Sequence, residues 1–328
     1  MGDVEIEMCM SPYSPSETFV LRLVTITGAA LSACGCLFIM VSYCAFHATR
    51  TFPYKLVLML SIANLGSSMA YFIGLPGPED KLGDAIVCSS TVACYVAAVM
   101  TQFFDLASFL WIATIAFNIY LVMVLERGRE VEGNESKYHL FAWGAPLIAC
   151  ALIAFLQGFG DAGLWCWIPV NKQALRFTFY YLPLVLVFIY TSVSYACVAR
   201  SVQNRTQQAV VNMRLRLYVL VFVFVRIWSV IHRTQNYLSG EPAYALALLH
   251  SLFSPLQGFA NALVYGCNKQ VVAQYCSLAR RPESSIELER RGTDFANADE
   301  RPVQTSQTQN SSMGESVDPR DLGPISLA

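Results

Sequence analysis

Apolar residues in this chain gather into seven long blocks separated by short polar connectors. A helix needs roughly 20 mostly apolar residues to cross about 30 Å of hydrocarbon, because lipid offers no partner to backbone amides and carbonyls. The blocks at 21–46, 56–74, 92–124, 138–156, 177–198, 217–238 and 243–265 meet that length. They predict an all-α membrane protein built as a bundle of seven transmembrane helices, with ends placed to within a few residues. The connectors carry turn and charge signals: Pro76, Gly77 and Pro78, the Glu/Arg/Gly run at 126–137, and the glycines of 158–163. None is long enough for another domain.

Composition agrees with the blocks. The chain is 55% hydrophobic and 14% charged, against about 25% charged in an ordinary soluble domain. Its net charge is -1, and it has neither a basic stripe with interleaved aromatics nor zinc-finger spacing, which excludes a nucleic-acid partner. Asp3, Glu5, Glu7 and Glu17 precede the first block without a basic cluster, the wrong order for a cleavable signal. The first helix is therefore expected to direct insertion itself.

Lys and Arg set the expected orientation. One side of the seven blocks has Arg22, Lys81, Lys172 and Arg176; the other has Arg50, Lys55, Arg127, Arg129, Lys137, Arg200, Arg205, Arg214, Arg216, Lys269, Arg280 and Arg281. The richer side faces the cytosol, so the amino terminus is expected outside and the carboxyl terminus inside, in the plasma membrane. Acceptor triplets for N-glycosylation at Asn134, Asn204 and Asn310 then lie on the cytosolic side and read as chance matches. The domain reading is an extracellular segment at 1–18, a seven-helix domain at 19–281 and a disordered cytosolic tail at 282–328. At the end of the second, Val271, Val272, Tyr275 and Leu278 line one face of a short amphipathic eighth helix on the membrane surface. Cys276 there is either a palmitoylation site or a plain thiol. The tail holds ten Ser/Thr residues and almost no aromatics; phosphates on it would attract partners by charge.

Topology sorts the eleven cysteines. Cys9, Cys88, Cys94 and Cys166 face the oxidising side, where four thiols allow three pairings that spacing does not choose between.

Ionisable groups inside a bilayer are costly and mark function. At 1.5 Å per residue, Asp105 lies about 20 Å into the third helix and Arg226 about 14 Å into the sixth from its cytosolic end, both near the midplane. They either pair in the interior or are satisfied separately by water and backbone. Arg226, Ser229 and Arg233 share a helical face, and His232, Arg233 and His250 gather toward the outer mouth. That cationic rim suits a small anion held by charge-assisted hydrogen bonds; the alternative is that Arg233 snorkels to the interface. No catalytic, metal or cofactor site is expected. The four histidines are His47, His139, His232 and His250, leaving the third to fifth blocks little to build a zinc site or hydrolase centre from. The last block has no Lys for a retinal Schiff base.

An ordered set of short motifs covers nearly the whole membrane domain. They are Lys55-Leu56-Val57, Ala107-Ser108-Phe109-Leu110-Trp111, Thr114-Ile115-Ala116-Phe117, Trp143-Gly144, Trp165-Cys166-Trp167, Arg226-Ile227-Trp228, Gly258-Phe259-Ala260-Asn261 and Tyr265-Gly266. In these the chain resembles the cyclic-AMP-receptor-like family of G-protein-coupled receptors, the slime-mould chemoattractant receptors with their plant and animal relatives. The resemblance implies a receptor of the seven-helix type that senses an extracellular small-molecule ligand, cyclic AMP or another small anion. It further implies activation of a heterotrimeric G protein by movement of the sixth helix, with receptor kinase and arrestin-like proteins as partners of the tail. It favours a disulfide between Cys94 and Cys166, since Cys94 stands at the family's distance before Trp111, and leaves Cys9 with Cys88 as a second pair. Trp228, Asn64 and Asn261 are candidates for the packing switch; Asn64 replaces the Asp that relatives commonly carry, so a charged ion-sensitive site is not expected there. Glu126-Arg127 stands about two turns too far beyond Cys94 to be the rhodopsin-like Glu/Asp-Arg pair. The competing readings are a seven-helix transporter or channel, and a membrane scaffold acting through its tail.

Overall fold

The computed structural model describes residues 13–74, 92–202, 209–239, 243–266 and 269–279. The chain divides into two units, Met1–Cys276 and Ser277–Ala328; the helical bundle is the first, and only the end of the final helix is described in the second. Cys9, Cys88 and the 282–328 tail fall outside the described residues.

Six helices are long and apolar enough to cross a membrane, as the chain's multi-pass pattern requires. They are α1 (Pro15–Ala45), α2 (Phe52–Gly74), α3 (Val92–Met123), α4 (Glu135–Phe155), α5 (Leu182–Val202) and α6 (Ala209–Ser239). The seventh block is present in two pieces, α7 (Tyr244–Phe253) and α8 (Gln257–Gly266), joined by a 3-10 turn at Ser254–Leu256. Pro255 sits in that turn; with no N–H and a ring that crowds the preceding turn, it breaks the ladder that the apolar pattern predicted as continuous. A short surface helix, α9 (Lys269–Ala279), follows.

Local chemistry moves several boundaries. α1 begins at Pro15, ahead of its apolar block, because Ser14 and Glu17 form a reciprocal capping box and Pro occupies the first turn. Before α5 the chain passes through a helical turn at Gln173–Arg176 and a π-helical stretch at Phe177–Tyr181. Beyond α3, Glu126 has φ 57°, a left-handed conformation that ends the helix. Arg127 there lies 3.8 Å from Glu130.

α3 is the axis of the bundle. In its apolar window 83% of residues are buried, against 28–56% in the other five spans, so it has hardly any face for lipid. α2, α4, α5 and α6 all pack on it. Trp111 of α3 is fully buried between His139 and Trp143 of α4, at ring-centroid distances of 5.1 and 5.8 Å. α1 closes against α7 and α8 across Gly35, where the backbone of Phe259 comes so near that a Cβ would lie 2.9 Å from its Cα. α9 is fixed to α1 through Tyr275, whose ring meets Phe46 at 4.8 Å and whose hydroxyl pairs with Ser42 at 2.7 Å; Val271 is buried and Cys276 exposed.

Candidate functional site

Asp105 of α3 and Arg226 of α6 meet in the bundle interior. Arg226 Nη2 donates to Asp105 Oδ1 at 3.0 Å and Nη1 to Oδ2 at 3.2 Å, with the residues 1% and 2% exposed. Charges this dry cost several kcal/mol unless every proton and lone pair is matched, and the matching here is dense. Ser67 of α2 donates to Asp105 Oδ1 at 2.6 Å. The Tyr180 hydroxyl donates to Asp105 Oδ2 at 3.2 Å and accepts from Arg226 Nη1 at 3.1 Å. Ser254 Oγ accepts from Nη1 at 3.0 Å, and Gln257 Oε1 from Nε at 2.8 Å. The Phe109 ring lies 5.0 Å from the guanidinium carbon, a cation–π contact.

Two irregularities deliver these partners. The π-helical turn before α5 carries Tyr180, and the 3-10 turn in the seventh block carries Ser254 and leads into Gln257. Irregular helix at such places is commonly functional. One guanidinium thus joins α3, α6, the entry to α5 and the break between α7 and α8, while Asp105 adds α2.

A lid covers this hub. Gly160–Asp161 pairs antiparallel with Cys166–Trp167, turning through Gly163 at φ 95°, a conformation that favours glycine. The disulfide Cys94–Cys166 ties the hairpin to the start of α3. Trp167 donates its indole N–H to Gln102 Oε1 at 2.8 Å, and Gln102 donates on to the Phe179 carbonyl at 2.9 Å. Arg176, 1% exposed, stacks 5.1 Å from the Trp167 ring and donates through Nε to the Ile168 carbonyl at 2.8 Å. Trp165 sets its edge against His250 and Tyr71, at 5.7 and 6.1 Å. Beneath the two tryptophans lies a cavity of about 10 Å³ reaching Asp105, Tyr180 and His250, roughly the space of one water. The site is closed.

The remaining sequence candidates fall into separate places. His232 and His250 face each other with Nδ1 atoms 3.1 Å apart, so one ring must donate to the other. The Tyr13 hydroxyl reaches His232 Nε2 at 3.2 Å. Burial raises the Tyr13 pKa, with the Arg233 charge pulling it the other way. Arg233 itself lines a different cavity, of about 410 Å³, between α5 and α6 with Phe177, Tyr181 and Val230. Trp228 stacks on Phe253 at 5.7 Å. Asn64 and Asn261 are buried but not bonded to each other: Asn64 Nδ2 and both side-chain polar atoms of Asn261 lack partners.

Sequence reasoning missed Ser67, Arg176, Tyr180, Ser254 and Gln257. Ser254 and Gln257 were signalled by Ser-Pro and a buried amide inside an apolar block. Nothing in the sequence distinguished Tyr180 or Ser67. Arg22, Arg176 and Arg233 each keep one buried nitrogen without a partner. Among the described residues no group of three or more His, Cys, Asp or Glu is placed to hold a metal ion.

Residues 15–280 match the model of the family described as slime mold cyclic AMP receptor. The cyclic AMP receptor-like protein A of Dictyostelium discoideum is 27% identical over 266 residues, covering 80% of this chain and 68% of that protein. G-protein coupled receptor 1 of Arabidopsis thaliana is 29% identical, covering 75% and 77%. G-protein coupled receptor 157 of Mus musculus is 26% identical, covering 82% and 88%.

Proposed function

The chain belongs to the slime mold cyclic AMP receptor family, and from that premise we propose that it is a plasma-membrane receptor in which a small anion competes with Asp105 for Arg226. The amino terminus is outside, the Trp165–Trp167 lid covers an extracellular mouth, and the opposite end of the bundle engages a heterotrimeric G protein. Residues 19–281 form the receptor domain. The 282–328 tail serves receptor kinase and arrestin-like partners, and 1–18 is extracellular.

The observation that carries this reading is the single guanidinium shared by Asp105, Tyr180, Ser254 and Gln257. An anion that reaches Arg226 replaces Asp105 as its partner and loosens α6 from α3 while leaving α6 joined to the α7–α8 break. Binding energy spent in only one of two packings shifts the population toward it. Spare donors on Arg22, Arg176 and Arg233 supply further charge-assisted bonds at the mouth, and His232 and His250 line the way in. Since the cavity under the lid holds about one water, the anion enters only when Trp165 and Trp167 swing aside, on the microsecond-to-second scale of lid opening. Trp228, with Asn64 and Asn261 nearer the other end, repacks as α6 moves. The receptor names of the relatives favour this over a seven-helix transporter or channel.

The test is guanine-nucleotide exchange on a panel of heterotrimeric G proteins by the full chain in lipid discs, with and without cyclic AMP. Stimulated exchange that disappears in Arg226→Gln, with the variant still folded, supports the proposal. Exchange indifferent to cyclic AMP and other small anions removes the ligand class; anion flux without exchange removes the receptor mechanism.

A further inference from the structure

One groove of the described bundle has no part in that mechanism. α4 and α5 both pack on α3 and scarcely on each other, leaving between them a groove of about 740 Å³, within the roughly 300–1,000 Å³ range of small-molecule sites. Its floor is Ala113 and Phe117 of α3, and its walls are Phe141 of α4 and Leu186 of α5. The Thr114 hydroxyl along the floor is already bonded to the Leu110 carbonyl at 2.8 Å, so it offers an entering chain no unmet polar group. One end is different. Asn134 and Lys137 stand there, at the first turn of α4, with the Lys137 ammonium on Asn134 Oδ1 at 2.9 Å and otherwise exposed. Tyr138 is buried at the same end.

We propose that this groove binds one anionic phospholipid, with an acyl chain along Phe117, Phe141 and Leu186 and the phosphate held by Lys137 at the mouth. Water does not fill an apolar groove at membrane depth, and a void would forfeit dispersion contacts along its whole lining. The polarity is ordered as a lipid requires, apolar along the length and cationic at one end, where the amino terminus of a 21-residue helix adds its positive dipole. Lys137 has two ammonium protons left for phosphate after Asn134. The site depends neither on the ligand of the hub nor on the transducer.

The experiment is native mass spectrometry of the full chain, titrated with phosphatidylserine, phosphatidylcholine or a sterol in mixed micelles. One phosphatidylserine should bind saturably and in preference to the other two. Lys137→Gln should weaken it about fivefold, the factor for roughly 1 kcal/mol per cation at the headgroup level. Arg129→Gln, an exposed cation of the same loop outside the groove, should leave it unchanged. Ala113→Phe, which fills the floor with Lys137 intact, should abolish binding; if that variant does not fold, the two charge variants decide. Equal retention of phosphatidylcholine, a preference for sterol, equal losses in Lys137→Gln and Arg129→Gln, or a second copy of the chain covering the groove would each overturn the proposal.

Discussion

Removing the Asp105 carboxylate should unfold this protein more readily than removing the whole ion pair. In Asp105→Leu the Arg226 guanidinium keeps Gln257, Ser254 and Tyr180 as neutral acceptors but holds an uncompensated positive charge at 2% exposure. Breaking a buried pair on one side typically costs about 3–5 kcal/mol. Arg226→Met should cost a similar amount, since Asp105 would keep only Ser67 and Tyr180 as donors. At roughly 2–4 °C per kcal/mol, each single variant should melt about 6–20 °C below the parent in lipid discs. The double variant replaces two charges by apolar groups and should recover at least half of either loss, so that it falls short of the sum of the two singles by about 4.5–7.5 kcal/mol. The measurement is a thermal double-mutant cycle on the purified full chain without ligand. Single variants within about 2 °C of the parent, or a double variant equal to the sum of the singles, would show that the charges are satisfied independently, and the competition mechanism would fall with the pair.

Three further outcomes follow from particular contacts. Cys166→Ser should lose about 4 kcal/mol by the chain-entropy account of a bridge spanning 72 residues, seen as a lower melting temperature matched by the parent under reducing agent. Gly35→Ala places a methyl 2.9 Å from both the Ala262 Cβ and the Phe259 Cα and should cost about 1–3 kcal/mol by overpacking, whereas Gly128→Ala, with open space around it, should leave the melting temperature within 2 °C by a rough limit of about 0.5 kcal/mol for surface changes. Ser14→Ala removes the α1 cap and should cost about 1 kcal/mol, with hydrogen exchange rising in the first turn of α1 and not in α3.

Much of the fold is written in one-dimensional pattern. Lipid tolerates only internally bonded backbone, so runs of apolar residues of the right length were bound to become helices, and six did so unbroken. The break in the seventh was legible at Pro255, whose effect on a helix needs no partner to be understood. The start of α1 was legible as well, in Ser14 and Glu17, though the apolar count alone placed it later. Asp105 and Arg226 stood out for the same reason, as charges where charge is expensive.

What they would touch was not in the sequence. Residues 121 positions apart meet because α2, α5 and α6 are all packed around α3, and a helix's own periodicity does not say which neighbour its inward face will meet. Arg233 shows the limit most plainly. It shares a helical face with Arg226 on a seven-residue spacing, yet opens onto the α5–α6 cavity, while His232 turns toward His250. Likewise the π-turn that carries Tyr180, the lid that closes over the hub, and the groove between α4 and α5 all arise from how helices diverge or crowd in three dimensions. The sequence determined that the chain crosses a membrane and which charges it buries, because solvation is a property of each residue. The tertiary structure alone decided which partners satisfy those charges, because satisfaction is a property of distance.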